Sequence, residues 1–110
     1  MSTEKYIVFR LNEQEYGASI QQIVSIEKLL DMTKLPQVSD FIEGITKLRG
    51  EVIPVIDLKR RMDMDKTDKT DHSRMLVALV DDVSVGFIVD EASDVLDIDE
   101  EIIEPAPTSI

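Results

Sequence analysis

The residues that could carry chemistry in this sequence are mainly carboxylates, because its 110 residues include 23 acidic side chains, one histidine and no cysteine. An acidic run from Asp63 to Asp71 resembles the start of a calcium-binding loop. Such a loop needs glycine at its sixth position, where the chain bends sharply, and a bidentate glutamate at its twelfth. Counted from Asp63, these positions hold Asp68 and Arg74, so we interpret the run as a solvated linker and predict no metal site. A calcium loop is also not predicted at the later acidic residues, because no glycine lies near Asp97, Asp99, Glu100 and Glu101.

Catalysis by a nucleophile and a histidine base would depend on His72, the single histidine of the sequence. Its neighbours Asp71 and Ser73 are polar, and no apolar pattern surrounds it, so a surface position is predicted. Paired carboxylates need an apolar pocket to act as acid and base, but most of these carboxylates lie in polar runs. Gly44 and Gly50 lack the spacing and the following Gly-Lys-Ser/Thr of a phosphate-binding loop. The sequence therefore predicts no catalysis and no cofactor; a small carboxylate enzyme and an acidic metal-binding domain are the alternatives.

The overall charge argues against two classes of partner. The formal net charge is −11, so the protein's field repels phosphate backbones and anionic lipid headgroups. The apolar runs are far shorter than the roughly 18 residues that span a bilayer, and residues 1–5 lack the features of a secretion signal. We therefore predict a cytoplasmic protein that binds no nucleic acid and does not insert into the membrane. The basic residues that could form one positive spot are Lys47, Arg49, Lys59, Arg60 and Arg61, although a hairpin rim and a helix C-terminus are the favoured explanation.

Two hairpins are predicted in the first half of the sequence. Residues 6–11 are β-branched and aromatic, residues 12–15 are polar and turn-like, and a strand resumes at 16–18. A second hairpin is predicted over residues 45–56, because strand-like runs flank Gly50. Pro54 has no amide to donate, which predicts an edge position or a bulge for its strand.

A polar segment at residues 63–73 follows a short predicted helix over 58–62, for which Asp57 would be the N-cap. About one helical turn followed by a strand is predicted for residues 20–26. We treat residues 1–110 as a single domain with a first subdomain over about 5–62, a linker over about 63–73 and a partial second subdomain over about 74–110.

The second half of the sequence resembles the first when the numbering is shifted by 69 positions. Matched positions are apolar on both sides or share a glycine or proline, and they pair Ile7 with Leu76, Leu11 with Val80, Tyr16 with Val85, Gly17 with Gly86, Ile20 with Val89, Ile26 with Val95 and Pro36 with Pro105. The shift predicts a duplicated β-unit. It also places Phe41 on Ile110, so residues 44–62 have no counterpart.

An ordered series of motifs resembles the CheW family of chemotaxis coupling proteins and covers nearly the whole chain. The motifs are Glu15-Tyr16-Gly17, Phe41-Ile42-Glu43-Gly44-Ile45, Leu48-Arg49-Gly50, Ile53-Pro54-Val55-Ile56-Asp57-Leu58, Gly86-Phe87-Ile88-Val89-Asp90, Ser93-Asp94-Val95-Leu96 and Pro105-Ala106-Pro107. The combination of Leu-Arg-Gly with Pro-Val-Ile-Asp-Leu is the most specific part of the resemblance.

The resemblance implies a mainly β fold of two pseudo-repeated SH3-like β-barrels with short helices, the second barrel being incomplete. It also implies a non-catalytic adaptor that couples the cytoplasmic tips of chemoreceptors to the regulatory domain of the histidine kinase CheA, at receptor arrays on the inner face of the membrane. A receptor helix would lie in an apolar groove between the barrels, where buried anchors supply affinity. The partner-binding residues expected on this basis are Ile23, Ser25, Ile26, Arg49, Val85 and Phe87.

The sequence departs from the family pattern at two positions near this groove. Many family members carry glutamate where this chain has Ser25, and asparagine where it has Lys47. Glu27 could supply the missing charge, but in a strand it would project to the same face only two residues on, displaced by roughly 6.5 Å.

Family members continue past Pro107 into another hairpin and a helix, the part that the internal repeat also lacks. We therefore expect a chain shortened at its C-terminus, with an open strand edge that self-associates or exchanges strands with another copy. The start at residues 1–5 favours a free coupling protein. A CheW-like module of a larger chemotaxis protein, either a receiver-fused coupling protein or a kinase regulatory domain, is the alternative.

Overall fold

The computed structural model describes residues 3–29, 31–36, 39–65 and 69–99, with side chains outside the description at 3–4 and 93–99. The described chain is mainly β, as the sequence predicts. The elements are β1 (Thr3–Leu11), β2 (Gln14–Ser19), β3 (Ile23–Lys28), β4 (Ile42–Leu48), β5 (Glu51–Asp57), α1 (Leu58–Arg61), β6 (Arg74–Val80), β7 (Val83–Val89) and β8 (Glu91–Asp99). They form a three-stranded sheet in the order β2-β1-β8 and a five-stranded sheet in the order β3-β6-β7-β5-β4.

Tight turns close the three hairpins β1–β2, β4–β5 and β6–β7. Each turn contains residues at positive φ, which matches the right-handed twist of the flanking strands. In β1–β2 this residue is Asn12 at 59°, and in β6–β7 the residues are Asp81 at 50° and Asp82 at 66°. Asparagine and aspartate tolerate this conformation better than most residues do. Arg49 at 51° precedes Gly50 at 82° in the β4–β5 turn, an uncommon conformation for a long side chain.

The internal repeat is present in the strand pairing. The β1–β2 register joins Tyr6 to Ser19 and Leu11 to Gln14, and the β6–β7 register repeats both pairs 69 residues later. The third strand of each unit then pairs with the first strand of the other unit. Ile26 of β3 lies opposite Leu76 of β6, and Val95 of β8 lies opposite Ile7 of β1, again at the same offset.

This exchange of third strands means that each sheet combines strands from both sides of residues 63–73. The three-stranded sheet takes β8 from the later side, and the five-stranded sheet takes β6 and β7. The division of the chain at this segment therefore stays a prediction.

Pro54 corrects one expectation from the sequence. It lies in β5, which is an interior strand between β7 and β4, rather than at a sheet edge, and the register shift of that hairpin falls in β4 instead. Its missing amide is accommodated because β5 pairs with β7 only from Val55 onward, one residue after Pro54. Pro54 faces Ile45 on the β4 side.

Two hydrophobic clusters lie on opposite faces of the five-stranded sheet. The first cluster lies between the two sheets, with Ile7 and Phe9 of β1 packed against Leu76 and Phe87. The second cluster is formed by alternate residues of the same strands, and its members are Ile53, Val55, Met75, Val77 and Ile88. Both faces of β6 and β7 are therefore buried, and these strands form the centre of the molecule.

Helix α1 begins after Asp57, as predicted, and ends one residue earlier than expected. Asp57 occupies the N-cap position without a side-chain capping hydrogen bond, and it is fully buried. No helix in the described parts of the chain is long and apolar enough to span a membrane.

Candidate partner-binding surface

The six predicted partner-binding residues fall into two groups. Arg49 and Ile26 are exposed, and Ile23 and Ser25 are half-buried on β3. Val85 and Phe87 are only 8% and 6% exposed and belong to the first hydrophobic cluster. They offer a partner little surface, so any effect they have on binding would be exerted through the packing beneath β3 and β6.

Arg49 and Glu27 form an ion pair that connects opposite ends of the five-stranded sheet. The Nη2 group of Arg49 donates a hydrogen bond to Oε2 of Glu27 at 3.2 Å. Three strands separate β3 from β4 in the sheet order. The contact therefore requires a strongly curled sheet, as in a barrel. That Glu27 substitutes for a glutamate at the position of Ser25 stays a prediction.

The inner face of β3 explains how Glu27 reaches this position. Ser25 lies opposite Val77 and Glu27 lies opposite Met75, both members of the second cluster. Directly opposed residues in an antiparallel pair share a face, so Ser25 and Glu27 point toward the inside of the curled sheet. Leu29 and Leu48 pack against the same cluster from β3's end and from β4, which brings the β4–β5 turn over β3.

Ser25 carries the one hydroxyl among the described residues that is buried without a hydrogen-bond partner. A buried polar group that lacks a partner costs free energy, typically about 1–3 kcal/mol. The carboxylate two residues on is already paired with Arg49, so nothing in this part of the structure satisfies the hydroxyl.

The outer face of β3 is apolar and exposed. Val24 is 51% exposed and Ile26 is 40% exposed, and the register against β6 shifts between Ile23 and Ser25. A shift of this kind inserts an extra residue and turns side chains away from the regular alternation. We call Ile23, Val24, Ile26 and Arg49 the β3 surface.

A second exposed apolar pair lies near the turns of β4–β5 and β6–β7, and the sequence reading missed it. Val52 is 60% exposed and Val83 is 56% exposed. Each lies three residues before the paired residues Val55 and Gly86, so both are at the same end of the sheet. Alternation places them on the face of Ile56 and Phe87. We call Val52 and Val83 the turn surface; valine next to a charged turn was the signal that could have indicated it.

The five basic residues do not form one positive spot. Lys59 pairs with Asp90 at 3.1 Å and is almost fully buried, and Arg60 pairs with Asp40 at 3.0 Å. The guanidinium of Arg61 lies over the ring of Phe41 at 5.4 Å. Their positions match the alternative interpretation, a helix end and a hairpin rim.

The described residues offer little to support the alternative chemistries. They contain no group of three histidine, cysteine, aspartate or glutamate side chains arranged to hold a metal ion. His72 is exposed, as predicted. The acidic residues Asp97 and Asp99 have side chains outside the description, and Glu100 and Glu101 lie outside the described residues.

A family model, the CheW-like domain, matches residues 5–110 of this chain. The chain is 44% identical over 107 residues to the chemotaxis protein CheW of Bacillus subtilis (strain 168), covering 97% of this chain and 69% of that protein. It is 33% identical over 104 residues to the chemotaxis protein CheW of Klebsiella aerogenes, covering 94% of this chain and 63% of that protein. The chain thus spans about two thirds of the length of these curated relatives.

The fold also has a solved counterpart. The crystal structure of the scaffolding protein TtCheW from Thermoanaerobacter tengcongensis superposes with a TM-score of 0.88 at 40% sequence identity, covering 99% of this chain and 75% of that chain. This chain therefore has the fold of a solved scaffolding protein.

Proposed function

This chain belongs to the CheW family, and from that premise we propose that it is a non-catalytic chemotaxis adaptor that couples chemoreceptors to the histidine kinase CheA. It would act at receptor arrays on the cytoplasmic side of the membrane. The observation that carries the proposal is the exposure of large apolar side chains at two places, Val24 and Ile26 on β3 and Val52 and Val83 beside the turns of two hairpins, because an adaptor must bind two partners at once.

The β3 surface suits a receptor helix. An amphipathic helix binds a groove through apolar anchors, and a few polar groups fix its register. Val24 and Ile26 offer the apolar area on one face of β3, and Arg49, which pairs with Glu27 of the other face, offers guanidinium donors that can bind carbonyl or carboxylate oxygens. We therefore assign the chemoreceptor tip to this surface.

The turn surface suits the regulatory domain of the kinase. Val52 and Val83 form a small apolar patch near the acidic residues Glu51, Asp81 and Asp82. An interface of this kind would bury the two valines at its centre and leave the charges at its rim.

Substitutions should separate the two activities. Arg49→Ala is expected to weaken binding of a receptor cytoplasmic fragment at least tenfold, because a central arginine of an interface often contributes 2 kcal/mol or more, about a thirtyfold change. Val52→Asp is expected to weaken binding of the CheA regulatory domain by a similar factor, because it buries a charge in an apolar contact. Titration calorimetry with each partner measures both constants.

Each variant serves as the control for the other, since both sites are exposed and neither should unfold the protein. The assignment predicts that Arg49→Ala keeps its affinity for the kinase domain and Val52→Asp keeps its affinity for the receptor. Equal losses of both partners in either variant would contradict two separate surfaces. If the unmodified chain bound neither partner, the adaptor function would be refuted.

The outer edge of β2 supports the expected self-association. Gly17–Ser19 of β2 correspond in the repeat to residues 86–88 of β7, which pair in parallel with β5. Among the described residues, β2 has a strand neighbour on one side only. An unpaired edge can accept a strand from another chain. We expect the mean mass measured by multi-angle light scattering to rise with protein concentration; a constant monomer mass over the whole series would count against association.

A further inference from the structure

The outer edge of β2 is the one strand edge in the described part of the chain that is not protected against pairing. The other edge strands, β3, β4 and β8, each carry an extra residue at a register shift, and β4 is also bridged by Thr33. β2 forms six consecutive pairs with β1 without a shift, and it contains no proline, no lysine and one charged residue, Glu15. Bulges, prolines and lysines are the features that keep strand edges apart, so β2 is open to another strand.

We propose that β2 pairs with β2 of a second copy of this chain, antiparallel to it and about a two-fold axis at Gly17. The inference goes beyond the adaptor function, because neither the receptor nor the kinase takes part in it. It assigns one strand and one register to the self-association expected above.

The hairpin determines which backbone groups of β2 point outward. Its two-residue turn is closed by the pair of Leu11 and Gln14, which exchanges both backbone hydrogen bonds. Pair types alternate along an antiparallel ladder, so every second residue from Gln14 bonds to β1. The others direct their N–H and C=O groups away from β1, and they are Glu15, Gly17 and Ser19. The repeat agrees, because β7 pairs with β5 at Gly86, the counterpart of Gly17.

A two-fold axis at Gly17 joins all three outward residues. It sets Gly17 opposite Gly17 of the second copy, and Glu15 opposite Ser19 of the second copy. The carbonyl of Ser19 already accepts a hydrogen bond from the N–H of Gln22 at 3.0 Å. The remaining outward groups form about four hydrogen bonds across the axis.

The charges favour this axis over the neighbouring one. With the axis at Gly17, the two Glu15 residues lie roughly 14 Å apart along the strands, and each faces a serine. With the axis at Tyr16, they lie only roughly 7 Å apart on one face. Carboxylates at the shorter distance repel each other more strongly, so the register centred on Gly17 is the more stable.

The same register extends the first hydrophobic cluster across the axis. Tyr16 and Ala18 are half-buried and pack against this cluster, and the ring of Tyr16 stacks on Phe9 at a centroid distance of 5.7 Å. The axis sets Tyr16 opposite Ala18 of the second copy, in a non-hydrogen-bonded pair, where side chains lie closest. Pairing therefore buries apolar surface as well as backbone groups.

The net charge of −11 opposes the association of two copies. Salt screens this repulsion, since charges more than about 8 Å apart interact little at physiological ionic strength. We therefore expect the dimer to tighten as the salt concentration is raised. A dimer that weakens in salt would be held by ion pairs, which would overturn the inference.

The test is a charge reversal across the axis, followed by sedimentation equilibrium. Ser19→Glu sets the new carboxylate opposite Glu15 of the second copy, and the symmetry creates this repulsion twice, so we expect the dimer dissociation constant to rise about tenfold. Adding Glu15→Lys sets an ammonium group opposite the new carboxylate and should restore the dimer. Gln14→Glu is the matched control, because it adds the same charge to β2 at a position that does not face Glu15; its dissociation constant should stay within about threefold of the unmodified chain.

A distance measurement reads the register directly. The chain has no cysteine, so Glu13→Cys provides a single site for a nitroxide label. Pulsed electron paramagnetic resonance should give a separation of about 27 Å for the axis at Gly17, against about 20 Å for an axis at Tyr16 and about 34 Å for one at Ala18. Circular dichroism of each variant confirms that the chain is folded.

Four results would overturn the inference. They are a monomer at every concentration of the unmodified chain, a Ser19→Glu variant that dimerises normally, a double variant that is not restored, and a label distance matching another axis. The receptor and kinase titrations test the adaptor function separately, because its failure would leave the dimer and its register unchanged.

Discussion

Replacing Gly44 with alanine is expected to lower the free energy of unfolding by about 3 kcal/mol or more. Gly44 has a φ of +154°, and a Cβ atom there would lie 2.3 Å from the carbonyl oxygen of Thr33 and 3.0 Å from its carbon. Both atoms belong to the backbone, so no side-chain rotation relieves the clash. The segment would have to separate from β4 and break the two hydrogen bonds of 2.9 Å between Thr33 and Ile45. Urea unfolding followed by circular dichroism measures the loss.

Gly17→Ala provides the control for this substitution. The added methyl group would meet only the side chain of Tyr6, at 3.3 Å, and no positive φ is involved. We expect its free energy of unfolding to change by less than about 1 kcal/mol. A Gly44→Ala variant as stable as Gly17→Ala would mean that the segment at Thr33 moves away from β4 at little cost.

The hairpins and the repeat could be predicted because their signals are local. Strand runs of β-branched residues are interrupted at Asn12, Gly50 and Asp81, where the chain adopts a positive φ. The offset of 69 residues also predicted which strands correspond. Turn residues and the alternation of apolar and polar side chains along a strand involve only a few neighbouring residues, so the sequence alone reveals them.

The exchange of third strands could not be predicted in the same way. Whether β3 pairs with β6 or with its own hairpin depends on contacts between residues about 50 positions apart, such as Ile26 with Leu76. Local periodicity does not distinguish these two choices. A similar ambiguity explains why Val85 and Phe87 were predicted to contact a partner although they are buried. A strand buried on both faces reads as a continuous apolar run, which does not reveal which residues reach the surface.

The sequence predicts those features of the candidate site that depend only on the strand face and the spacing of its residues. Glu27 and Ser25 differ by two positions on a strand and therefore share a face, which the sequence reveals. The reach of Arg49 across the sheet depends on how far β4 and β5 curl over β3. That curl depends on packing of Leu29 and Leu48 against the second cluster, so only the structure could place the two charges together.

The two sheets pack against each other through the first cluster. A polar network in the described part of the chain also joins the sheets. Lys59 of α1 donates to Oδ1 of Asn12 at 3.0 Å and pairs with Asp90 at 3.1 Å, while the backbone N–H of Asn12 donates to Oδ2 of Asp90 at 2.7 Å. The network connects the turn of β1–β2 to the helix after β5 and to the residue after β7.

Asp90→Ala is therefore expected to lower the free energy of unfolding by about 2–4 kcal/mol. The side chain of Lys59 is only 8% exposed, so removal of the carboxylate leaves a buried ammonium group without its counter-charge. The N–H of Asn12 also loses its acceptor. The measurement is again the midpoint and slope of urea unfolding.

Asp40→Ala is the control, because it removes the ion pair that Asp40 forms with Arg60, which also lies in α1. Asp40 is 84% exposed and Arg60 is 35% exposed, so its removal should cost well under 1 kcal/mol. Adding Lys59→Met to Asp90→Ala should recover part of the stability, because the buried charge is then gone and the methionine fills the space of the lysine stem. If the double variant were no more stable than Asp90→Ala, the cost would come from the Asn12 turn rather than from the unpaired lysine. If Asp90→Ala were as stable as Asp40→Ala, the network would contribute little to stability, and the first cluster would hold the two sheets together without it.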